Sequence, residues 1–256
     1  MPRVLKTVIP RIRKSLRDRG LVTTLCRSIL LPVHLVQEYR AAQRRLPGGS
    51  KSDFDRTHGV TTDGDYEGWT FLSDLNIKSP NWIEANDYLG IEPERFAFVL
   101  TSLDIPFEKY TFVDFGSGMG RALLLASEFG FKEIVGLEFS RELHVIAEDN
   151  IHRYRSDTQK STNIRSVNID FVDFDLPSGP LVLFFFDPCR GHMLKQAFSR
   201  IERTLLTRQD PLYIAYVAPR SETEQLFGSS TSLREIVRNS TLNFIIYESR
   251  SGLTSV

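Results

Sequence analysis

The chain has 256 residues, of which 41% are hydrophobic and 25% are charged, and its formal net charge at pH 7 is zero. This composition is typical of a globular protein and excludes disordered and fibrous classes. The two cysteines, Cys26 and Cys189, exclude a disulfide framework and lack metal-ligand spacing, so we expect a cytoplasmic protein without a metal.

The first 46 residues differ from the rest in charge. They contain eleven Lys or Arg and two acids, which makes residues 1–46 +9 and the remainder −9. We interpret residues 1–46 as a basic extension of two partly amphipathic helices, followed by a linker at Leu46–Ser50. Such an arm can lie on the acidic body, on an anionic inner membrane as a peripheral contact, or on nucleic acid, which is the least favoured. No apolar run reaches the roughly 18 residues of a membrane span.

Residues 47–80 are expected to form a linker and a loop over the mouth of a site. Residues 51–77 are polar and glycine-dotted and lack steady periodicity, which predicts a loop. His58 lies in this loop and is the histidine best placed to act as a base, whereas His144 and His152 lie on a predicted helix. The loop also carries five acids, Asp53, Asp55, Asp63, Asp65 and Glu67.

The alternating strand and helix patterns of residues 81–256 predict one α/β domain. Apolar residues have helical spacing over Asn81–Leu103, around a turn at residues 90–93, and from Tyr110 strands and helices alternate. The predicted strands are Thr111–Phe115, Glu133–Glu138, Ile164–Ile169, Leu181–Asp187 and Leu212–Val217, and the predicted helices are Arg121–Phe129, Arg141–Arg153 and Met193–Leu206. Right-handed crossovers bring the carboxyl ends of these parallel strands to one edge, where open sheets bind ligands.

A glycine loop follows the first predicted strand of the domain. Gly116, Gly118 and Gly120 allow a sharp turn and a close approach of the backbone to a ligand, and the next helix directs its amino end at that ligand. Glu138 ends the next strand about 20 residues later, which is the offset of an acid that binds ribose hydroxyls. The loop and the acid together predict a nucleotide-type cofactor site.

Asp114 distinguishes between cofactors. Its carboxylate lies just before the glycines, where it would repel the pyrophosphate of a dinucleotide and attract a cation. S-adenosylmethionine carries a sulfonium and an ammonium group, so Asp114, Gly116, Gly118 and Glu138 predict binding of that cofactor. A nicotinamide-dependent oxidoreductase is an alternative.

Four segments resemble, in order and spacing, the motifs of class I S-adenosylmethionine-dependent methyltransferases. They are VDFGSGMGR at 113–121, GLEFS at 136–140, NIDF at 168–171 and FDP at 186–188. The resemblance covers roughly residues 82–248. It implies a Rossmann-like, doubly wound, mostly parallel seven-stranded sheet with an antiparallel last strand, supplied here by the hairpin of Leu233–Asn239 and Asn243–Glu248. Residues 54–62 are also similar to the lead-in of a bacterial methyltransferase-domain group whose substrates are largely unassigned.

The resemblance also implies roles for three further residues. An acid at Asp170 accepts a hydrogen bond from the adenine amino group in this family, and Tyr88 lies where the family packs a segment against the cofactor. Asp187 follows an apolar central strand and resembles the start of the motif by which amino-directed members hold the target nitrogen; alternatively it caps the next helix. The chain departs from that motif at Cys189 and Arg190, where a proline and an aromatic residue are expected, so nucleobase methylation is not favoured.

We therefore predict an enzyme that transfers a methyl group from S-adenosylmethionine to an O or N nucleophile, with Asp187 and His58 as catalytic residues. The acceptor would be a small molecule or a protein. One alternative is a protein lysine methyltransferase, because the acidic loop suits a basic peptide. Another is a non-catalytic cofactor-binding module that is tethered by its basic arm.

Overall fold

A computed structural model describes residues 53–64 and 69–250, without the side chain of Asp74. The helical extension predicted for residues 1–46, and its contact with a membrane, lie outside the described residues and stay predictions. None of the helices in the described part of the chain is long and apolar enough to cross a membrane.

A seven-stranded sheet forms the centre of the domain. Two short strands precede it and pair with each other, and the strands in chain order are β1 (Trp69–Thr70), β2 (Tyr88–Leu89), β3 (Thr111–Phe115), β4 (Glu133–Glu138), β5 (Ile164–Asn168), β6 (Leu181–Phe186), β7 (Leu212–Val217), β8 (Leu233–Asn239) and β9 (Phe244–Ser249). Across the sheet the order is β5-β4-β3-β6-β7-β9-β8. Strand β9 is antiparallel to both of its neighbours, and the other pairs are parallel. The predicted mostly parallel sheet with an antiparallel last strand is confirmed.

Helices cover both faces of this sheet. They are α1 (Asp53–His58), α2 (Pro93–Thr101), α3 (Arg121–Ala126), α4 (Arg141–Arg153), α5 (Gly191–Leu205) and α6 (Ser221–Gly228). Alternate side chains of a strand point to opposite faces, so Leu183 and Phe185 of β6 pack with α5, whereas Phe184 packs with α2 and α3. Because helices lie on both faces of the sheet, every residue of β3 is buried. This burial explains why β3 is almost continuously apolar.

The segments before β3 differ most from the prediction. Of the helical spacing predicted over Asn81–Leu103, only the part after the turn is an α-helix, α2, which begins at Pro93 because proline suits the first helical position. The part before the turn contains a 3-10 helix at Pro80–Ile83 and the strand β2. The loop predicted over residues 51–77 contains α1, which forms where Phe54 enters the core.

Arg121, the first residue of α3, joins the glycine loop to residues 53–64. Its Nε donates a hydrogen bond to Thr62 Oγ1 at 2.6 Å, and its Nη2 pairs with Asp63 and, at 3.5 Å, with Asp55. Asp55 also accepts hydrogen bonds from the amide and the hydroxyl of Thr62 at 2.6 and 2.5 Å. A buried guanidinium is thus neutralised by two carboxylates from residues 53–64, which we call the lead-in segment.

Asn150 on α4 attaches the same segment a second time. Its Oδ1 accepts a hydrogen bond from the amide of Thr61 at 2.8 Å, and its Nδ2 donates to the carbonyl of Thr61 at 2.7 Å. The same Nδ2 lies 2.9 Å from the carbonyl of Met119 in the glycine loop. Residues 53–64 are therefore an integral part of the domain.

We expect Arg121→Ala to lower the free energy of unfolding by about 3–5 kcal/mol, because the change leaves two largely buried carboxylates without their counter-ion. Urea denaturation at neutral pH measures the loss. Arg153→Ala is the control, since it breaks a half-exposed ion pair with Asp149 and should cost less than about 0.5 kcal/mol. Equal losses in the two variants would contradict a structural role for the Arg121 cluster.

Candidate functional site

A cleft lies at the carboxyl edge of the sheet, where β3, β4 and β6 end. This is the edge at which open parallel sheets bind ligands. Five of the predicted site residues line it, namely Tyr88, Gly116, Gly118, Glu138 and Asp187. Elements far apart in the sequence thus converge on one place. Within the described part of the chain, no group of three His, Cys, Asp or Glu side chains is placed to hold a metal ion.

The glycine loop is fixed to the neighbouring strand by its own amides. The amides of Gly116 and Ser117 donate to the carbonyl of Leu137 at 2.9 and 3.0 Å. Gly118 has a φ of 55°, which glycine adopts without strain, and a Cβ there would lie 2.0 Å from the ring of Tyr88. A Cβ on Gly116 would lie 2.9 Å from Pro188 Cβ, so the loop also approaches the segment after β6.

Glu138 ends β4 inside the cleft and is almost fully buried. Its Oε2 accepts a hydrogen bond from the amide of Gly118 at 2.8 Å, and its Oε1 accepts one from the amide of Ser140 at 2.7 Å. Burial raises the pKa of Glu138 to about 7, and the two backbone hydrogen bonds oppose that rise. The carboxyl group therefore titrates near neutral pH.

Asp114 lies one strand away on β3 and is 4% exposed. Burial, together with the charge of Glu138, raises the pKa of Asp114 to about 8. Two neighbouring buried carboxyl groups thus hold protons near neutral pH in the free protein. A bound cation favours their ionised forms, whereas a bound anion opposes them.

Tyr88 forms one wall of the cleft. Its ring lies against Gly118, and its hydroxyl donates a hydrogen bond to the carbonyl of Thr62 at 2.7 Å. Burial raises the pKa of this phenol far above its usual value. Tyr88 therefore joins the glycine loop to the lead-in segment that Arg121 holds.

Asp170 is a half-buried residue that follows β5 and caps a 3-10 helix, Phe171–Asp173. Its Oδ2 accepts hydrogen bonds from Ser79 Oγ at 2.7 Å and Asn81 Nδ2 at 2.8 Å, and its Oδ1 accepts one from the amide of Val172. The neighbouring Phe171 lines the cleft. Asp170 therefore does not line the cleft itself but holds Ser79 and Asn81 and caps the turn that carries Phe171.

Asp187 follows β6 and is held by residues that sequence reasoning missed. Arg220 Nε lies 2.9 Å from its Oδ2 and 3.2 Å from its Oδ1, and Asn86 Nδ2 donates to its backbone carbonyl. One signal could have found Arg220, because β6 and β7 are adjacent and Arg220 lies just beyond the end of β7. No comparable signal exists for Asn86.

Cys189 lies two residues after Asp187 and is 1% exposed. It pairs with Ala85 in an isolated antiparallel bridge. Burial, followed by the charge of Asp187, raises the pKa of the Cys189 thiol well above its usual value. The thiol is therefore protonated at neutral pH.

His58 does not line the cleft, and its predicted position in a loop at the mouth is wrong. It ends α1, and its ring centroid lies 4.8 Å from that of Phe54 and 4.9 Å from that of Tyr154. Its Nδ1 is 3.0 Å from the carbonyl of Arg155. Packing of α1 against the helical layer, rather than over the sheet edge, accounts for this position.

Of the five acids predicted to lie in the mouth loop, the three that the structure describes do not form a common cover over the cleft. Asp55 and Asp63 bind Arg121, and the exposed Asp53 pairs with Arg56. Asp65 and Glu67 lie outside the described residues.

We expect Gly118→Ala to destabilise the protein through both its backbone angle and its contact with Tyr88. Gly179→Ala is the matched control, because Gly179 has a φ of 87° and no atom within 4 Å of an added Cβ. The control should lose about 1–2 kcal/mol of unfolding free energy for the angle alone. Gly118→Ala should lose about 1–3 kcal/mol more, as measured by urea denaturation. Equal losses would contradict the close contact with Tyr88.

The two buried acids also predict how stability depends on pH. The pKa values of Asp114 and Glu138 are about 8 and about 7 in the folded protein, but both acids ionise near pH 4 in the unfolded chain. Between these values the folded state binds more protons than the unfolded state, so stability is lost as pH rises. The loss is up to about 1.4 kcal/mol per pH unit for each group.

Asp114→Asn should therefore make the decline shallower, since it removes one of the two titrations. Urea midpoints between pH 5 and pH 7.5 measure the slope. The exposed Asp104 provides the control variant, Asp104→Asn, which should keep the slope of the unchanged protein. The same slope in all three proteins would contradict the raised pKa of Asp114.

No protein-family model and no curated protein sequence matches the chain. Solved structures match parts of it. A StiE O-MT structure is 16% identical and covers 63% of this chain and 75% of its own, with a TM-score of 0.44. Magnesium protoporphyrin IX methyltransferase from Synechocystis with bound SAM is 10% identical, with coverages of 62% and 77% and a TM-score of 0.40. Ribosomal protein L11 methylase from Lactobacillus delbrueckii is 15% identical, with coverages of 62% and 77% and a TM-score of 0.42.

Likenesses at this level do not identify an activity. The fold is established by the sheet itself, in which five parallel strands continue into the β8–β9 hairpin with β9 inserted next to β7. This strand order is the Rossmann-like fold of the class I methyltransferases.

Proposed function

We propose that the protein is an S-adenosylmethionine-dependent methyltransferase that acts on an O or N nucleophile. The observation that carries this proposal is the pair of buried carboxyl groups, Asp114 and Glu138, beside the glycine loop. Glu138 lines the cleft, and Asp114, which does not line it, is buried close enough for the charge of Glu138 to raise its pKa. A cationic ligand favours the ionised forms of both carboxyl groups, and the negative charge of a pyrophosphate opposes them.

The polar groups of the cleft fit the parts of S-adenosylmethionine. Glu138 would hold the ribose hydroxyls, and the glycine loop would hold the charged amino-acid part, with the charge of the buried Asp114 nearby. Phe171, next to Asp170, offers an apolar face for the adenine ring. Gly118 leaves its backbone open to the ligand because it has no side chain.

When bound, the cofactor supplies an electrophilic methyl group on a sulfonium. The chain would contribute alignment and the exclusion of water more than acid–base chemistry. Asn86, Phe186, Asp187 and Pro188 form the part of the cleft that we call the acceptor end. There Asp187 would accept a hydrogen bond from the nucleophile and so direct its lone pair at the methyl carbon.

The cleft supports the nicotinamide alternative less than it supports S-adenosylmethionine. None of the described residues that line it is Lys or Arg, so no side chain there offers a positive charge to a pyrophosphate. Glu138, which would hold ribose in either cofactor, does not distinguish the two. The two buried acids do distinguish them.

The alternative of a protein lysine methyltransferase depends on backbone carbonyls after β6 that accept hydrogen bonds from the target amine. Asn86 donates to both of these carbonyls, from Nδ2 to Asp187 and from its amide to Pro188 at 2.9 Å. Each carbonyl keeps a second lone pair, so these contacts do not distinguish a lysine amine from other nucleophiles. The tethered-module alternative depends on residues 1–46, which lie outside the described residues.

Calorimetry tests the proposal directly. The protein should bind S-adenosylmethionine with release of protons near pH 7, because the cation draws protons from Asp114 and Glu138, whose pKa values are about 8 and about 7. The measured enthalpy should then depend on the ionisation enthalpy of the buffer. S-adenosylhomocysteine, whose sulfur is neutral, should release fewer protons. Asp114→Asn should weaken S-adenosylmethionine binding about tenfold.

Asp104→Asn serves as the control and should bind as the unchanged protein does, since Asp104 is exposed and lies before β3. Transfer is tested with a tritiated methyl donor and fractionated lysate of the native host. Asp187→Ala should bind the donor yet transfer little label. Binding of a nicotinamide dinucleotide without binding of S-adenosylmethionine would overturn the proposal.

A further inference from the structure

Asp187 adopts a left-handed backbone conformation, which is uncommon for residues other than glycine. Its φ is 43°, in the left-handed region, and it is 4% exposed at the end of β6. A non-glycine residue in this region costs about 1–2 kcal/mol, and such residues persist where surrounding contacts hold them. Ala218, which follows the adjacent β7, also has a left-handed φ, of 56°. Both strands are therefore followed by a left-handed residue that contacts from other parts of the chain must hold in place.

Arg220 supplies that support to the carboxylate. Its Nε and Nη2 both lie 2.9 Å from Asp187 Oδ2, and its Nε is also 3.2 Å from Oδ1. The side chain of Arg220 is 36% exposed, whereas that of Asp187 is only 3% exposed. Water therefore reaches the arginine but hardly reaches the carboxylate, which relies on the guanidinium for its solvation.

Asn86 closes the arrangement through the backbone. Its side chain donates to the carbonyl of Asp187, its amide donates to the carbonyl of Pro188, and its Oδ1 is 3.4 Å from Nη2 of Arg220. Two residues from distant parts of the chain, Asn86 and Arg220, thus fix the backbone and the side chain of Asp187. They do so at the acceptor end of the cleft.

We propose that Arg220 is a positioning residue that keeps Asp187 ionised and aimed at the acceptor end. The inference rests on the proposed function and adds to it a residue that does not touch the acceptor. An ion pair with a purely structural role could be replaced without effect on ligands in the cleft. Here the carboxylate lines the cleft, so its charge and direction act on whatever stands at that end.

Sinefungin tests this without a known acceptor. In this analogue an amine-bearing carbon replaces the methyl-bearing sulfur of S-adenosylmethionine, so its ammonium group would stand at the acceptor end. The unchanged protein should bind sinefungin roughly tenfold more tightly than S-adenosylhomocysteine at pH 7, because ionised Asp187 faces the ammonium. Asp187→Asn should lose most of this preference.

Arg220→Gln should prefer sinefungin over S-adenosylhomocysteine only at a higher pH than the unchanged protein does. Without the guanidinium the buried carboxylate ionises later, so the midpoint at which the preference appears should rise by about one pH unit or more. Arg220→Lys keeps the charge but not the planar fork, and its midpoint should lie between those of the other two proteins. Calorimetric titrations of both ligands from pH 5 to pH 8.5 measure the midpoints. Asp114 and Glu138, with pKa values of about 8 and about 7, and the neighbours of Asp187 with raised pKa values, Cys189 and Tyr216, are the same in every Arg220 variant, so the difference between variants reports on Arg220.

Arg200→Gln is the matched control. Arg200 is also 36% exposed and also binds one aspartate, at 2.6 Å, but that aspartate, Asp175, is 96% exposed. The control should keep the midpoint of the unchanged protein. If Arg220→Gln does not fold, Arg220→Lys decides the question alone.

The outcomes separate the two proposals. If the unchanged protein binds neither ligand, the proposed function fails. If it binds both, but the Arg220 variants keep its pH midpoint, the positioning role of Arg220 is overturned while the proposed function stands. A raised midpoint in the Arg220 variants, with that of Arg200→Gln unmoved, supports the inference.

Discussion

The carboxylate of Glu138 is the contact on which the site depends. It ends β4, yet it binds the amide of Gly118 in the loop after β3 and the amide of Ser140 at the start of α4. One buried group therefore fixes two strand ends relative to each other and holds the glycine loop in shape. Its desolvation opposes folding, and proteins keep such unfavourable burial chiefly at functional sites.

The cleft also depends on contacts far from any ligand. Tyr88 touches Gly118 with its ring and Thr62 with its hydroxyl, and Thr62 is bonded to the buried Arg121. A substitution in the lead-in segment can therefore alter the position of the glycine loop through the ring of Tyr88. The ion cluster of Arg121 and the wall of the cleft form one continuous network, in which neighbouring changes are not additive.

The sequence allowed the sheet and the meeting of the glycine loop with Glu138 to be predicted, because both rest on local patterns; the binding of a cofactor there stays a prediction. Continuous apolar runs marked β3 and β7, and glycine spacing with an acid marked Gly118 and Glu138. The remaining features depend on partners distant in sequence. Helix α1 depends on the burial of Phe54 and on Arg121, and Asp187 is held by Arg220, 33 residues away. Local periodicity does not indicate such pairs. For the same reason, the prediction that His58 lies in a loop at the mouth was wrong.

Cys189 gives the acceptor end a further property. A thiolate two residues from Asp187 would compete with any substrate for an electrophilic methyl group, and sulfur is intrinsically a strong nucleophile. Burial and the negative charge nearby keep this sulfur protonated instead. Under the proposed function, the burial that raises the pKa of Cys189 would also suppress the nucleophilicity of the sulfur nearest to Asp187 in the chain and so spare the protein from alkylating itself.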